Sequence, residues 1–261
     1  MTSVNSVDTA ALLDLAVRVA RAAGAELLSR YGRIEGLDTK SSATDPVSDA
    51  DRASEALIVK MLLTERPDDG LIGEEGASRR STSGITWVID PLDGTVNYLY
   101  ELDNFSVSIA AEDADGGLVG AVYDPVVNRM YTAVRGGGAF LDGRALRVRE
   151  PVALDRALLA TGFGYSAERR AAQGAIIARL LPHIRDIRRM GSAALNLCEV
   201  AAGHLDAFWE EGVQHWDVAA GGLIAVEAGA VMTTTSLTGA PTGWLVAGPA
   251  LHTALVRSLG A

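Results

Sequence analysis

Trp87-Val88-Ile89-Asp90-Pro91-Leu92-Asp93-Gly94-Thr95-Val96-Asn97 is the run on which the reading of this chain turns. Residues 86–89 suit a short buried strand. Pro91 has no amide hydrogen to extend a ladder, which predicts that the strand stops at Asp90. Proline also disfavours helical backbone in the residue before it, so Asp90 is extended and its carboxylate points off the sheet end. The chain then turns, bringing Asp93 near Asp90 and leaving the Leu92 carbonyl as a third oxygen donor. Gly94 permits close backbone approach, and Thr95 can open a helix whose free amides would face an anion. Two carboxylates and a carbonyl, with no His or Cys nearby, suit a hard cation such as Mg²⁺. Asp-Gly-Thr alone is equally an Asp-rich turn after a strand; the whole run is far more specific.

Upstream of it, Leu12, Leu15, Ala16, Val19, Ala23 and Leu27 keep helical spacing from Thr9, and Gly32 ends the pattern. A second helix is predicted from about Asp49 to Glu65, with Ser48 as its cap and Asp51 as the acidic partner three residues on. Downstream, Phe105, Val107, Ile109 and Ala111 alternate as a half-buried strand, followed by strand candidates at 118–123 and 129–134. Asp142-Gly143 marks a hairpin turn between 139–141 and 144–148. Beyond Pro151, strand candidates at 157–161, 185–189, 205–209 and 244–248 alternate with helical patterns at 168–181, 192–202, 217–228 and 250–259. Antiparallel strands first, then alternating helices and strands, predict a layered α/β architecture with two stacked sheets. Residues 1–8 are polar and expected to be loose. The rest, 9–261, reads as one domain whose halves, about 9–150 and 151–261, have no flexible tether between them.

The 261 residues are 48% hydrophobic, enough for a sizeable core. With 23 basic and 33 acidic residues the formal net charge is −10, a sign that repels nucleic acid and anionic membrane surfaces. An anionic substrate would therefore need a cation between itself and the protein. The single cysteine, Cys198, lies in an apolar helical pattern and reads as a core thiol in a reducing compartment. With no basic segment leading into an apolar run, and no uncharged stretch near the ~18–20 residues of a membrane span, a soluble cytoplasmic protein is expected. Gly136-Gly137-Gly138 lacks the helix and following Lys-Ser/Thr of a phosphate loop and reads as a tight strand connection. The four histidines lack metal-ligand spacing.

Two further acidic segments join the central run. Leu71-Ile72-Gly73-Glu74-Glu75-Gly76 places paired glutamates straight after an apolar pair, which alone would suit a solvated turn. His215-Trp216-Asp217-Val218-Ala219-Ala220-Gly221 opens an apolar helix with Asp217 in its first turn, where an acid ordinarily complements the helix dipole. Together the three segments stand in the order and spacing of the inositol monophosphatase family, which the chain resembles over about residues 10–235. The resemblance includes Lys40-Ser41-Ser42, Asp45 and Asp51 upstream and Gly191-Ser192-Ala193-Ala194 downstream. Gly76 and Ser192 stand where the animal enzymes carry serine and threonine, differences that bear on specificity more than on metal ligands.

The resemblance implies an α-β-α-β-α sandwich of sugar-phosphatase type and Mg²⁺-dependent hydrolysis of a small phosphorylated polyol. Inositol 1-phosphate is the first choice of substrate, with histidinol phosphate, fructose 1,6-bisphosphate and 3′-phosphoadenosine 5′-phosphate as alternatives. In that family the residues matching Glu74, Asp90, Asp93 and Asp217, with the backbone oxygen of Leu92, hold two or three Mg²⁺ ions. Glu74, Asp90 and Leu92 would serve the first, and Asp90, Asp93 and Asp217 the second. Clustered carboxylates repel one another unless divalent ions neutralise them, so the sharing also makes electrostatic sense. Glu74 and Thr95 are implied to position an activated water for in-line attack on phosphorus. Asp51 would hydrogen-bond the Thr95 hydroxyl, or else serve only as a helix-cap acid. Substrate contacts are expected from Asp93, Gly94, Thr95, Gly191, Ser192, Ala193, Glu210 and Asp217. Glu211 competes with Glu210 for its part, and plain helix capping competes for Ser192. Lys40 is expected near the site or as a surface lysine. A homodimer and inhibition by Li⁺ are also implied, and the alternative from another class is a regulatory interaction protein that kept the fold.

Overall fold

The computed structural model describes residues 7–33, 38–39, 46–239 and 242–260. Lys40, Ser41, Ser42 and Asp45 lie outside the described residues, as does most of the segment expected to be loose at the N-terminus. Helix α1 (Thr9–Arg30) is capped by Asp8, which accepts from the Ala11 amide at 3.0 Å, and the chain turns away through Gly32 at φ 74°. A short antiparallel ladder of β1 (Asp38–Thr39) and β2 (Pro46–Val47) precedes α2 (Asp49–Glu65). The capping box expected at Ser48 and Asp51 is present: Asp51 Oδ2 accepts from the Ser48 amide at 2.8 Å and from its hydroxyl at 2.6 Å.

One eight-stranded sheet contains β3 (Gly70–Gly73), β4 (Ser78–Arg79), β5 (Thr86–Asp93), β6 (Ser106–Asp113), β7 (Gly116–Asp124), β8 (Arg129–Val134), β9 (Gly138–Leu141) and β10 (Arg144–Ala145). Its order is β10-β9-β8-β7-β6-β5-β3-β4, antiparallel except for the β3–β5 pair. The short helix α3 (Thr95–Leu99) follows β5. A five-stranded sheet contains β11 (Leu158–Thr161), β12 (Asp186–Arg188), β13 (Ala207–Glu211), β14 (Val231–Thr235) and β15 (Gly243–Ala247), in the order β12-β11-β13-β15-β14. Its connections carry α4 (Ala167–Leu180), α5 (Ala193–Ala201) and α6 (His215–Glu227), and α7 (Pro249–Leu259) follows.

Three apolar clusters set the layers. α1 and α2 pack Leu15, Val19, Leu27, Ile58 and Leu62 against Trp87, Ile89, Val107 and Ile109 on one face of the large sheet. α5 and α6 fill the space between the sheets, where Leu197, Cys198 and Ile224 meet Val88, Ala110 and Val122 on one side and Phe208 and Val246 on the other. α4 and α7 cover the outer face of the second sheet, with Ile176, Leu180, Leu251 and Leu255 against Leu159, Trp209 and Leu245. The order is α-β-α-β-α, the architecture expected from the sequence. Among the described residues no helix is long and apolar enough to cross a membrane.

Three local expectations change. β5 does not stop at Asp90 but runs to Asp93, because Asp90 pairs with Ser108 and Asp93 with Ser106, so Pro91 and Leu92 together stand opposite Val107 alone. Pro91 falls inside this bulge, where its missing amide costs no ladder bond. β6 is covered by helices on both faces, so Ser106 and Ser108 are buried along with Val107 and Ile109. β14 was not anticipated: it is an edge strand of Val231-Met232 and three threonines, whose outward residues blur the apolar alternation. Gly136–Gly138 is a strand connection as read, tied down by Glu227, which accepts from the Gly136 and Gly138 amides at 2.8 and 2.9 Å.

Candidate functional site

The bulge at the end of β5 is held from three sides. Parallel β3 ends beside it, and the Glu74 amide donates to the Ile89 carbonyl at 3.2 Å, which sets Glu74 next to Asp90. α2 fastens both segments: buried Glu55 accepts from the Glu75 and Ala77 amides at 2.9 and 3.0 Å, and the Ser54 hydroxyl donates to the Pro91 carbonyl at 2.9 Å. Within the turn, the Leu92 amide donates to Asp90 Oδ1 at 3.0 Å. Gly94 sits at φ 98°, and a Cβ there would lie 2.9 Å from the Asn104 carbonyl, so this turn admits only glycine without strain.

Thr95 Oγ1 lies 3.1 Å from Asp51 Oδ1 and 3.1 Å from the Leu92 carbonyl. A hydroxyl has one proton to donate, so donation to Asp51 leaves the Leu92 oxygen available. Asp93 is gripped by the start of α5: the Ser192 hydroxyl and the Ala194 amide, at 2.7 Å, donate to one carboxylate oxygen, and the Ala193 amide donates to the other at 3.2 Å. Ser192 also caps α5 by accepting from the Leu195 amide at 3.1 Å. Asp217 enters from the first turn of α6, where it accepts from the Gln214 amide. Glu74, Asp90, Leu92, Asp93, Gly94, Thr95, Gly191, Ala193, Glu210 and Asp217 all line one pocket. Asp51 and Ser192 stand behind it, touching it through Thr95 and Asp93.

The electrostatics of this pocket are severe. Burial pushes the Asp90 carboxyl well above the usual range, and the charges of Glu74, Asp93 and Asp217 push it further. Asp90 also hydrogen-bonds Glu74, a contact between two carboxyl groups that needs a shared proton. Asp217 is raised well above its ordinary value by burial, then by Glu74 and Asp93. Asp93 is raised by burial to about 6, although the Ser192, Ala194 and Ala193 donors favour its ionised form. Glu210 is raised to about 7 by burial, with Arg189 opposing the shift.

A profile of the inositol monophosphatase family matches residues 8–259. The chain belongs to the inositol monophosphatase family. It is 44% identical over 233 residues to the inositol-1-monophosphatase of Mycobacterium leprae, a match covering 84% of this chain and 80% of that protein. It is 45% identical over 224 residues to Nus factor SuhB of Pasteurella multocida, covering 85% and 84%. The crystal structure of extragenic suppressor protein suhB from Bartonella henselae superposes with a TM-score of 0.89 at 33% identity, covering 95% of this chain and 98% of that one.

In this member of the inositol monophosphatase family the donors are all oxygen, which fits a hard divalent cation. Among the described residues no three His, Cys, Asp or Glu side chains close tightly enough to enclose an ion by themselves. Mg²⁺ itself keeps several waters and combines one or two carboxylates with phosphate oxygens instead of using a closed protein cage. Burial and the neighbouring carboxylates around Asp90 mark the place where positive charge is needed. Glu211, the competitor of Glu210, is spent elsewhere: it accepts from Thr235 Oγ1 at 3.2 Å, from the Thr238 amide and hydroxyl at 2.9 and 2.6 Å, and from the Leu237 amide.

Four contributors were missed in the sequence. Ser54 and Glu55 follow Asp51 by three and four residues, so helical spacing places them on the site-facing side of α2 and was the available signal. Arg169 and Arg189 also line the pocket. Arg169 lies in the first turn of a helix rich in charged residues, and Arg189 just after a short edge strand; both resemble solvated surface.

Proposed function

We propose that this protein hydrolyses a small phosphorylated polyol, inositol 1-phosphate foremost, to the free alcohol and inorganic phosphate. The observation that carries this reading is the meeting of Glu74, Asp90, Asp93 and Asp217, from three separate segments, beside Gly94 and Thr95 in one pocket. Glu74, Asp90, Asp93, Asp217 and the Leu92 carbonyl would hold Mg²⁺. When bound, the metal supplies positive charge for the phosphate dianion, acidity for the attacking water and stabilisation of the leaving alkoxide.

The chain's own groups do the positioning. Donation of the Thr95 hydroxyl to Asp51 turns its lone pairs outward, ready to accept from the attacking water, and Glu74 takes that water's proton. Asp51 acts through Thr95 and is fixed by its two bonds from Ser48. The amides of Gly94 and Thr95 bind phosphate oxygens. Gly191 and Ala193 bound the space for the alcohol, and Ser192 keeps Asp93 in place. Glu210 accepts a hydrogen bond from a polyol hydroxyl. Glu210→Gln should therefore raise KM for inositol 1-phosphate about tenfold while leaving kcat within about twofold, the loss of one charge-assisted hydrogen bond. Steady-state kinetics with and without the substitution would check it, and a fall in kcat at constant KM would speak against this role.

Initial rates on inositol 1-phosphate, histidinol phosphate, fructose 1,6-bisphosphate and 3′-phosphoadenosine 5′-phosphate test the substrate class. Highest turnover of histidinol phosphate or of the nucleotide would overturn the polyol assignment. The reading includes a homodimer inhibited by Li⁺, checked by sedimentation and by Li⁺ titration. A second reading, a partner-binding role, is supported by the 45% identity to a protein named as a Nus factor. A catalytically inactive variant that still restores the phenotype of a deletion strain would favour it.

A further inference from the structure

The pocket that holds the acidic cluster has the opposite character at its rim, where Arg169 and Arg189 line it. Arg189 stands near Glu210 and its charge opposes the effect of burial on that carboxyl, so each has a counter-charge. Arg169 has none. It is half-buried, yet among the described residues its guanidinium makes no hydrogen bond and no ion pair.

Its position is built from several sides. Arg169 falls in the first turn of α4, where its amide donates to the cap Ser166 Oγ at 3.2 Å. One turn on, the buried Gln173 side chain accepts from the Gly164 amide at 2.8 Å and donates to the Glu211 carbonyl at 2.8 Å. That staple ties the loop after β11 to the end of β13. Arg170 secures the same loop through the carbonyls of Gly164 and Tyr165, at 3.3 and 2.7 Å. Arg169 lies in the slot between the two walls: a Cβ on Gly164 would overlap its Cδ, and one on Gly212 would come 2.7 Å from its Nη1. Two glycines thus leave room for this side chain beside the pocket. A half-buried cation without a partner is costly, and an anion in the pocket would remove the cost. The forked donors of a guanidinium match a phosphate in two-point contact.

We propose that Arg169 is a specificity-determining residue that takes a second phosphate on the alcohol part of the substrate, so that polyol bisphosphates bind better than the matching monophosphates. The proposal rests on the phosphatase reading above and narrows its substrate class; monoesters are still turned over, and the second phosphate adds affinity.

The test uses the full chain with Mg²⁺ and compares fructose 1-phosphate with fructose 1,6-bisphosphate, which differ by one phosphate, alongside inositol 1-phosphate. In the unmodified protein KM should be about tenfold lower for the bisphosphate than for fructose 1-phosphate. R169Q should abolish that difference, leaving kcat and both monoester KM values within about twofold, and R169K should keep part of it. A merely structural arginine would shift all three esters together, and that result would overturn the proposal. Equal KM values for the two fructose esters in the unmodified protein would also overturn it. Turnover of inositol 1-phosphate with no discrimination by Arg169 removes this inference alone, whereas no phosphate release from any ester removes the phosphatase reading with it.

Discussion

Asp90→Asn should slow phosphate release from inositol 1-phosphate at least about a thousandfold at saturating Mg²⁺. Asp90 lines the pocket with Glu74, Asp93 and Asp217 and feels the charge of all three, so it is the carboxylate proposed to serve more than one bound ion. Losing its charge removes several kcal/mol of support for charge developing at phosphorus, and about 4 kcal/mol corresponds to about three orders of magnitude. The amide keeps the shape and can still accept from the Leu92 amide, so the turn should survive. Indeed the metal-free variant should melt at a higher temperature than its parent. It no longer buries an acid whose ionised form is opposed by burial and by three neighbouring carboxylates. Calorimetry beside kinetics separates the two effects. Near-normal turnover would refute the catalytic assignment, and a lower metal-free melting temperature would refute the electrostatic one.

Without divalent ions, the melting temperature should rise as pH falls from 8 toward about 4. Asp93 moves from an ordinary 3.8 to about 6 and Glu210 from 4.5 to about 7, while Asp90 and Asp217 are shifted in the same direction. An acid with a raised folded pKa binds its proton in the native state first. The native state therefore gains as pH drops through the folded value, and the gain is complete below the unfolded one. The window opens near pH 7, where Glu210 begins to take up its proton, and closes near pH 4. His215, raised by its hydrogen bond to Glu112, contributes with the same sign. Mg²⁺ requires the ionised carboxylates, so its stabilising effect should be larger at pH 8 than at pH 6. Magnesium at a hundred times its dissociation constant adds about 2.7 kcal/mol, a shift of several degrees. Differential scanning calorimetry in chelator and in excess Mg²⁺ at both pH values checks this, and stability rising with pH in chelator would contradict it.

What the sequence revealed follows from how local the signals are. Ser48-Asp49-Ala50-Asp51 declares a helix start within four residues, and the capping box is there. Asp142-Gly143 declares a hairpin, and both residues take the positive φ it needs. The Asp90–Thr95 turn could be marked as a candidate site, but its backbone could not be read: whether a proline ends a strand or sits in a bulge depends on the partner strand, and β6 supplied the register. Glu74 and Asp217 became candidate site residues only through the family spacing, because each alone suits an ordinary turn or helix start. The choice between Glu210 and Glu211 was beyond local reading, since it depends on the turn after β14, which occupies the Glu211 carboxylate. Arg169 was invisible for a similar reason, as its slot is made by glycines from two distant segments.

The most direct test of the central claim, that the carboxylates gathered around the β5 bulge form a Mg²⁺-dependent phosphatase site, is phosphate release from inositol 1-phosphate by chelator-treated protein before and after Mg²⁺ is restored. Release at the uncatalysed background in chelator, recovering in full on addition of Mg²⁺, is the predicted result. Release at the same rate with and without Mg²⁺, or none in either condition, would contradict it.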